Sequence, residues 1–437
     1  MSETKFTPRY TQYVLGMLVV VFVFNFIDRQ ILAILAPAIK AELDLSDTQI
    51  GALSGVAFGI FYATLGIPIA RLADRHSRVN IISICLAIWS LMTAVSGLAT
   101  NFVQLLIARI GVGIGEAGGS PPSHSLIADY FSPDRRSTAL GVYALGIPVG
   151  ILFGNLAGGW ISEFFGWRNA FFLVGIPGII LAIVLKLTVE EPPRGYSEGG
   201  KHSDPKADQV PFLTVVKTML GFKTFRYLAL GCATQAFVGY GSIAWMPSFL
   251  VRSHDMSYGE VGTALGLLIG IFGGAGTLLS GVISDKFGAK DTRWYMLMPA
   301  YAFLIAVPTG CAVFMVDATW MVLAIYTIPV FMVNLYTGPT FGMTQSLAPL
   351  AMRAAASALL LFIINIIGLV FGPTTIGVLS DLFQSMLEWN ADVSLQRALL
   401  FSNLVYLLSF WFYFLASKTL KSDLDASARP DLQEAST

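Results

Sequence analysis

Apolar runs of about 20 residues, the length a helix needs to cross a bilayer, recur along this chain and are separated by short polar loops. Twelve spans are predicted: Gln12–Ile39, Ile50–Ala70, Val79–Ala99, Phe102–Ala128, Ser137–Ser162, Asn169–Thr188, Tyr227–Val251, Gly259–Ser284, Arg293–Val316, Trp320–Leu347, Ala354–Ser380 and Ala398–Ser417. The fold class this implies is an all-α integral membrane protein. Between the sixth and seventh spans the pattern breaks at EEPPRGYSEGGKHSDPKADQVP, a polar stretch rich in Pro and Gly and too irregular for a packed core. The expected organisation is an N-terminal six-helix bundle over 1–189, a linker over 190–225, a second six-helix bundle over 226–417 and a polar, disordered tail over 418–437.

Composition agrees with the pattern. Of the 437 residues 55% are hydrophobic and 12% charged, where soluble proteins carry about 25% charged residues. Lys plus Arg and Asp plus Glu balance at 27 each, so nothing suggests a nucleic-acid partner. The distribution of the bases is more informative. Lys40, Arg168, Arg252 and Arg397 are the loop bases on one side, while the N-terminus, the linker, the tail and the alternate loops carry the rest. That bias places both termini and the linker in the cytoplasm of a multi-pass protein of the cell (inner) membrane. The polar start MSETKFTPRYTQY lacks a cleavable apolar core, so the first span is expected to stay. Cys85, Cys232 and Cys311 lie in apolar runs without pairing or metal spacing, and no metal or cofactor is expected.

An internal repeat supports the two halves. The loop after span two, ARLADRHSR, is echoed after span eight by GVISDKFGAK, and because six spans separate the copies the halves share one orientation, as in parallel transporter repeats. The second copy has Gly281, Asp285, Lys286, Gly288 and Lys290; the first has Ala70 and Ser77 where the second has glycine. These loops, with twelve spans and a central linker, resemble the major facilitator superfamily of secondary transporters. The resemblance implies two parallel six-helix repeats, alternating access driven by a proton gradient, and a gating role for Asp74, Arg75, Arg78, Asp285 and Lys286. Helix-end chemistry suits such a clasp, since a carboxylate at a helix terminus can pin its neighbour through bases and backbone N–H groups. Within the superfamily, NFIDRQ in span one and RIGVGIGEAGG in span four resemble the spinster group of lipid transporters. Organic-anion symporters of the superfamily share an acid and Arg in span one and a Glu-Ala pair in span four.

The candidate chemistry is a set of four charges deep in the spans: Asp28, Arg29, Arg109 and Glu116, all in the N-terminal half. A charge at mid-bilayer costs about 2.5–3.5 kcal/mol even on permissive insertion scales, so such residues mark function by default. Asp28 and Arg29 point about 100° apart on their helix and need not pair with each other. Arg109 and Glu116, two turns apart, share a face. Arginine stays protonated, so proton exchange falls to Asp28, with Glu116 modulating it. Burial favours the neutral carboxyl and a nearby Arg the ionised one, so an anion that engages the Arg changes the balance. Arg29 and Arg109 are expected to trade between these carboxylates and an anionic substrate group. Asn25, Tyr240, Trp245 and Tyr336 are further candidates for substrate contact.

The C-terminal half has no matching charges and offers polar and aromatic residues among Phe, Leu and Ile. Charge on one wall and apolar surface on the other suits an amphiphile. The expected function is therefore a proton-coupled carrier, acting as a monomer, of an anionic lipid of the lysophospholipid or sphingosine-phosphate kind. Alternatives are a proton-coupled organic-anion or sugar-acid symporter, and a non-transporting scaffold or receptor on the same fold. An intramembrane enzyme is not expected, because the spans hold no nucleophile–base or metal-ligand spacing.

Overall fold

The computed structural model describes residues 6–73, 75–198, 210–349 and 352–427. The fold is all-helical and multi-pass. Eleven helices among the described residues are long and apolar enough to cross a membrane. They are α1 (Pro8–Leu43), α2 (Asp47–Ala73), α3 (Arg78–Ser96), α4 (Phe102–Tyr130), α5 (Thr138–Phe165), α6 (Trp167–Thr188), α8 (Tyr258–Gly288), α9 (Trp294–Val313), α10 (Thr319–Leu347), α11 (Arg353–Leu387) and α12 (Ala391–Ser427). The twelfth, α7 (Lys223–His254), spans 32 residues and is more polar, with Thr224, Gln235, Ser242 and Ser248 along it. Apolar run length sets these helices, and capping sets several starts: Thr7 caps α1, Ser77 caps α3 and Asn101 caps α4 with a side-chain oxygen on a backbone N–H.

The helices form two compact units. The first takes the chain up to Leu45, Val56–Ser203 and Met256–Gly266; the second takes Ser46–Gly55, Asp204–Asp255 and everything from Leu267 on. Each unit thus includes a segment from the other half of the sequence, and the two segments are the starts of α2 and α8, the equivalent helices of the repeat. In the first unit the start of α8 sits on α5, where Glu163 accepts from the Gly259 N–H at 2.7 Å and Trp160 donates to Thr263 at 3.1 Å. In the second unit the start of α2 sits on α11, and a Cβ at Gly51 would lie 2.6 Å from the Pro373 carbonyl oxygen.

Small residues bring helices of the first unit together. Along α5 the repeat Gly146, Gly150, Gly154, Gly158 faces α1, and a Cβ at Gly150 would reach within 2.5 Å of Phe26. Close packing therefore accounts for these four glycines, whereas a Cβ at Gly141 of the same span would meet no neighbour within 4 Å among the described residues.

Two parts of the chain are more ordered than their polarity suggests. The linker segment from Glu190 to Tyr196 packs on the first unit through Glu191 and Arg194; the rest of that stretch, 199–209, lies outside the described residues. Of the expected disordered tail, residues 418–427 are instead helical, and 428–437 lie outside the described residues. Leu420 is fully buried, Thr224 and Thr419 share a 2.7 Å hydrogen bond, and Asp423 accepts from the Thr224 N–H at 2.7 Å, capping α7. Those anchors supply the burial and hydrogen bonds that composition alone does not reveal.

Candidate functional site

The four charged residues come together inside the first unit, on α1 and α4. Asp28 is 1% exposed, Glu116 1% and Arg109 2%. Neighbours on α1, Asp28 and Arg29 reach different levels of α4. Arg109 Nη1 donates to Asp28 Oδ1 at 3.2 Å, and Arg29 Nε donates to Glu116 Oε2 at 2.7 Å. The seven-residue spacing of Arg109 and Glu116, about 10 Å of helix rise, sets the two pairs one above the other.

The glycines of RIGVGIGEAGG make this approach possible. A Cβ at Gly113 would stand 2.6 Å from the Phe58 carbonyl oxygen, and one at Gly115 would stand 2.7 Å from the Trp89 nitrogen, so α4 lies directly against α2 and α3. Phe58 is thereby held beside both arginines, 5.3 Å from the Arg29 guanidinium carbon and 5.6 Å from that of Arg109. Tyr62 lies over Arg29 at 4.4 Å and Phe26 lies at 5.1 Å. Aromatic faces stabilise cations in a site that has lost water.

Sequence reasoning missed Thr93 on α3. Its hydroxyl lies against Asp28 Oδ2 and is also 2.9 Å from the Trp89 carbonyl oxygen. A hydroxyl has one proton and two lone pairs, so it can donate to an ionised Asp28 or, turned to Trp89, accept from a protonated one. Three buried polar atoms around the set have no protein partner among the described residues: Asn25 Oδ1, Arg109 Nε and Glu116 Oε1. Unmatched donors and acceptors in a buried site are costly, about 1–3 kcal/mol each, and are commonly found where a ligand or proton completes the network.

The repeated loops are arranged differently. Asp74 lies outside the described residues. Arg75 is exposed, whereas Arg78 is 1% exposed and fully engaged. It donates from Nε to Glu191 at 2.7 Å and pairs through Nη1 with Asp129. Glu191 also accepts from the Ser77 hydroxyl and the Val79 N–H, both at 2.9 Å, so it caps α3. Arg194 donates to the Ala73 carbonyl at 2.5 Å, and the Gly195 N–H donates to Asp129 at 2.9 Å. The EEPPRGY segment is therefore a strap across one end of the first unit. In the second unit Asp285 and Lys286 are exposed, with Tyr295 donating to Asp285 at 3.1 Å.

The remaining candidates lie in the second unit. Trp245 is 1% exposed and donates Nε1–H to the Pro373 carbonyl at 2.8 Å. Tyr240 and Tyr336 are half-buried. The second unit also holds an ion-pair cluster around Arg252, which the sequence marks only as a loop base. Arg252 grips Asp47 with two hydrogen bonds of 2.8 and 3.0 Å, and Ser380 donates to the same carboxylate at 2.6 Å. Asp381 accepts from the Asp47 and Thr48 N–H groups at 3.1 and 2.7 Å, capping α2. Among the described residues no group of His, Cys, Asp and Glu is arranged to hold a metal ion.

The Major Facilitator Superfamily profile matches residues 18–373. The chain is 34% identical over 432 residues to an MFS-type efflux pump of Mycolicibacterium smegmatis, covering 97% of this chain and 96% of that protein. It is 26% identical to a hexuronate transporter of Bacillus subtilis, covering 82% of this chain and 85% of that one. Among solved structures it superposes on a bacterial homolog of the human lysosomal transporter spinster, inward-facing and unoccupied, with a TM-score of 0.88 and 33% identity, covering 96% of this chain and 99% of that chain. Twelve membrane helices, the repeated loops and these matches across nearly the whole length lead to one conclusion: the chain belongs to the Major Facilitator Superfamily of transporters and resembles its spinster members.

Proposed function

We propose that this transporter is a proton-coupled carrier of an anionic amphiphile, with Asp28 as the proton site. The observation that carries the proposal is Thr93. Its hydroxyl gives Asp28 a partner in both protonation states, so the carboxyl can gain or lose a proton without being left unmatched. Arg109 holds the ionised form. An anionic substrate group that takes Arg109, through the Nε that lacks a protein partner, weakens that hold and favours proton uptake by Asp28. Arg29, caged by Tyr62 and Phe26, makes the same exchange with Glu116, and Asn25 offers a neighbouring acceptor. Tyr240, Trp245 and Tyr336 belong to the apolar side of the proposal, the loops at Asp74–Arg78 and Asp285–Lys286 to gating, and the termini to the cytoplasm.

The resemblance of NFIDRQ and RIGVGIGEAGG to the spinster group, and the uncharged C-terminal half, favour an amphiphile of the lysophospholipid or sphingosine-phosphate kind. The hexuronate-transporting relative supports a second reading, in which the same arginines engage the carboxylate of a sugar acid. Uptake into proteoliposomes separates them. With an inward-directed proton gradient, a labelled lysophospholipid is accumulated and excess glucuronate does not compete; competition by glucuronate together with no lysolipid uptake supports the second reading and overturns the first.

A further inference from the structure

The second unit holds a cavity that the charged site does not explain. It lies among α7, α8, α9, α10 and α12 and has a volume of about 110 Å³, room for several waters at ~10–15 Å³ each. Every residue that lines it belongs to the second unit. None is acidic or basic.

Its polar groups are amides and the hydroxyls of Ser242, Tyr326 and Tyr406, and one buried acceptor among them stands unmatched. Gln235 is 6% exposed, and its Oε1 has no protein partner among the described residues. Asn334 has its amide N–H engaged with the Val330 carbonyl at 2.7 Å, and Asn403 has its own engaged with the Val307 carbonyl at 2.9 Å and Cys311 Sγ at 3.3 Å. Asn403 thus keeps its carbonyl oxygen for a further partner, and Asn334 its carbonyl oxygen and a second N–H. Around them stand Ile243, Val313 and Phe314. The wall from α8 includes Ile269, the first residue of a π-helical turn over Ile269–Gly273, a distortion that in other proteins frequently marks a functional site.

We infer that this cavity is a binding site for the hydroxyl-bearing end of an uncharged amphiphile, donating to Gln235 Oε1. The ligand must bring a donor for Gln235 Oε1, and a hydroxyl does so while also accepting from the Ser242, Tyr326 or Tyr406 hydroxyls of the wall. It must be uncharged, because a buried ammonium without a facing carboxylate would bear its desolvation uncompensated. Its adjoining chain must be apolar, because the rest of the wall is aliphatic and aromatic. The site is separate from the Asp28 cluster and does not depend on proton coupling.

The test uses the full chain purified into lipid nanodiscs and calorimetric titration with three probes: 1-decanoylglycerol, methyl decanoate and decylammonium. Decanoylglycerol should bind the native protein at least tenfold more tightly than the other two. Gln235→Leu, nearly isosteric, should weaken decanoylglycerol at least tenfold while leaving the thermal midpoint of the ligand-free protein unchanged or higher, because it removes an unmatched buried carbonyl. Val333→Phe, which fills the cavity from α10, should block binding as well. Asp28→Asn should bind as the native protein does, whatever its transport, so a failure of the proton-coupling proposal is read separately. Unchanged binding in Gln235→Leu with intact folding, equal binding of methyl decanoate, or preference for decylammonium would each overturn the inference.

Discussion

The two units answer the same physical problem, polar groups inside a membrane protein, in opposite ways. In the first, Asp28, Arg29, Arg109 and Glu116 are buried as crossed ion pairs, backed by aromatic faces and a threonine hydroxyl. In the second, the interior cavity is lined by amides and phenols without charge, and a buried ion pair, Asp47 with Arg252, ties the start of α2 to α7 and α11. The difference is one of what each can exchange. A charged set with unmatched atoms can trade a proton or an anion, whereas neutral amides and hydroxyls can only select a ligand by shape and hydrogen bonding.

The largest expected effect breaks the charged side of this comparison. Arg109→Ala leaves Asp28 buried without its paired guanidinium and should cost about 3–5 kcal/mol, seen as a loss of thermal stability in detergent. The double variant Asp28→Asn with Arg109→Met should recover most of that stability and none of the gradient-driven transport, which separates packing from chemistry. A neutral double variant that still concentrates substrate would contradict the division.

In the second unit Asp47→Ala removes a fully buried carboxylate and strands Arg252, whose side chain is 12% exposed. Because the guanidinium keeps some contact with solvent, about 2–3 kcal/mol is expected, below the cost at Arg109. Transport measured per folded molecule should keep its pH dependence, because the proposed mechanism exchanges the coupled proton at Asp28 and not at this pair. A shifted pH profile would move part of the coupling into the second unit.

A smaller effect is expected at the strap. Glu191→Gln keeps the shape but loses charge on three hydrogen bonds to Ser77, Arg78 and Val79. With a side chain 30% exposed, about 1 kcal/mol is expected. Limited proteolysis between Glu190 and Tyr196 should quicken by several-fold, and an unchanged cleavage rate would show that the strap is held by its backbone contacts alone.

Much of the fold is legible in the sequence for a clear reason. Membrane spans follow from apolar run length, and charges inside them stand out because hydrocarbon makes them costly. Pairings are not legible, because they depend on which helices touch. Thr93 lies 65 residues from Asp28 in sequence, Glu116 lies 87 from Arg29, and Asp47 lies 205 from Arg252. Threonine in a span usually bonds its own helix, as Thr93 also does with Trp89, so nothing marks it as a partner of Asp28. Asp47 and Arg252 sit at span ends, where charge is ordinary. Glu191 is hidden in a segment whose Pro and Gly content argues against order, and the contacts that hold it, to Arg78, Ala73 and Asp129, come from distant parts of the chain.

The central claim, that Asp28 carries the coupled proton, is tested most directly by comparing two fluxes in the same proteoliposomes. One is accumulation of a labelled lysophospholipid driven by a pH gradient, and the other is its counterflow exchange without a gradient. Asp28→Asn should retain counterflow, since an uncharged carboxamide mimics the protonated carboxyl, and lose gradient-driven accumulation entirely. Accumulation by Asp28→Asn at the native level would contradict the claim.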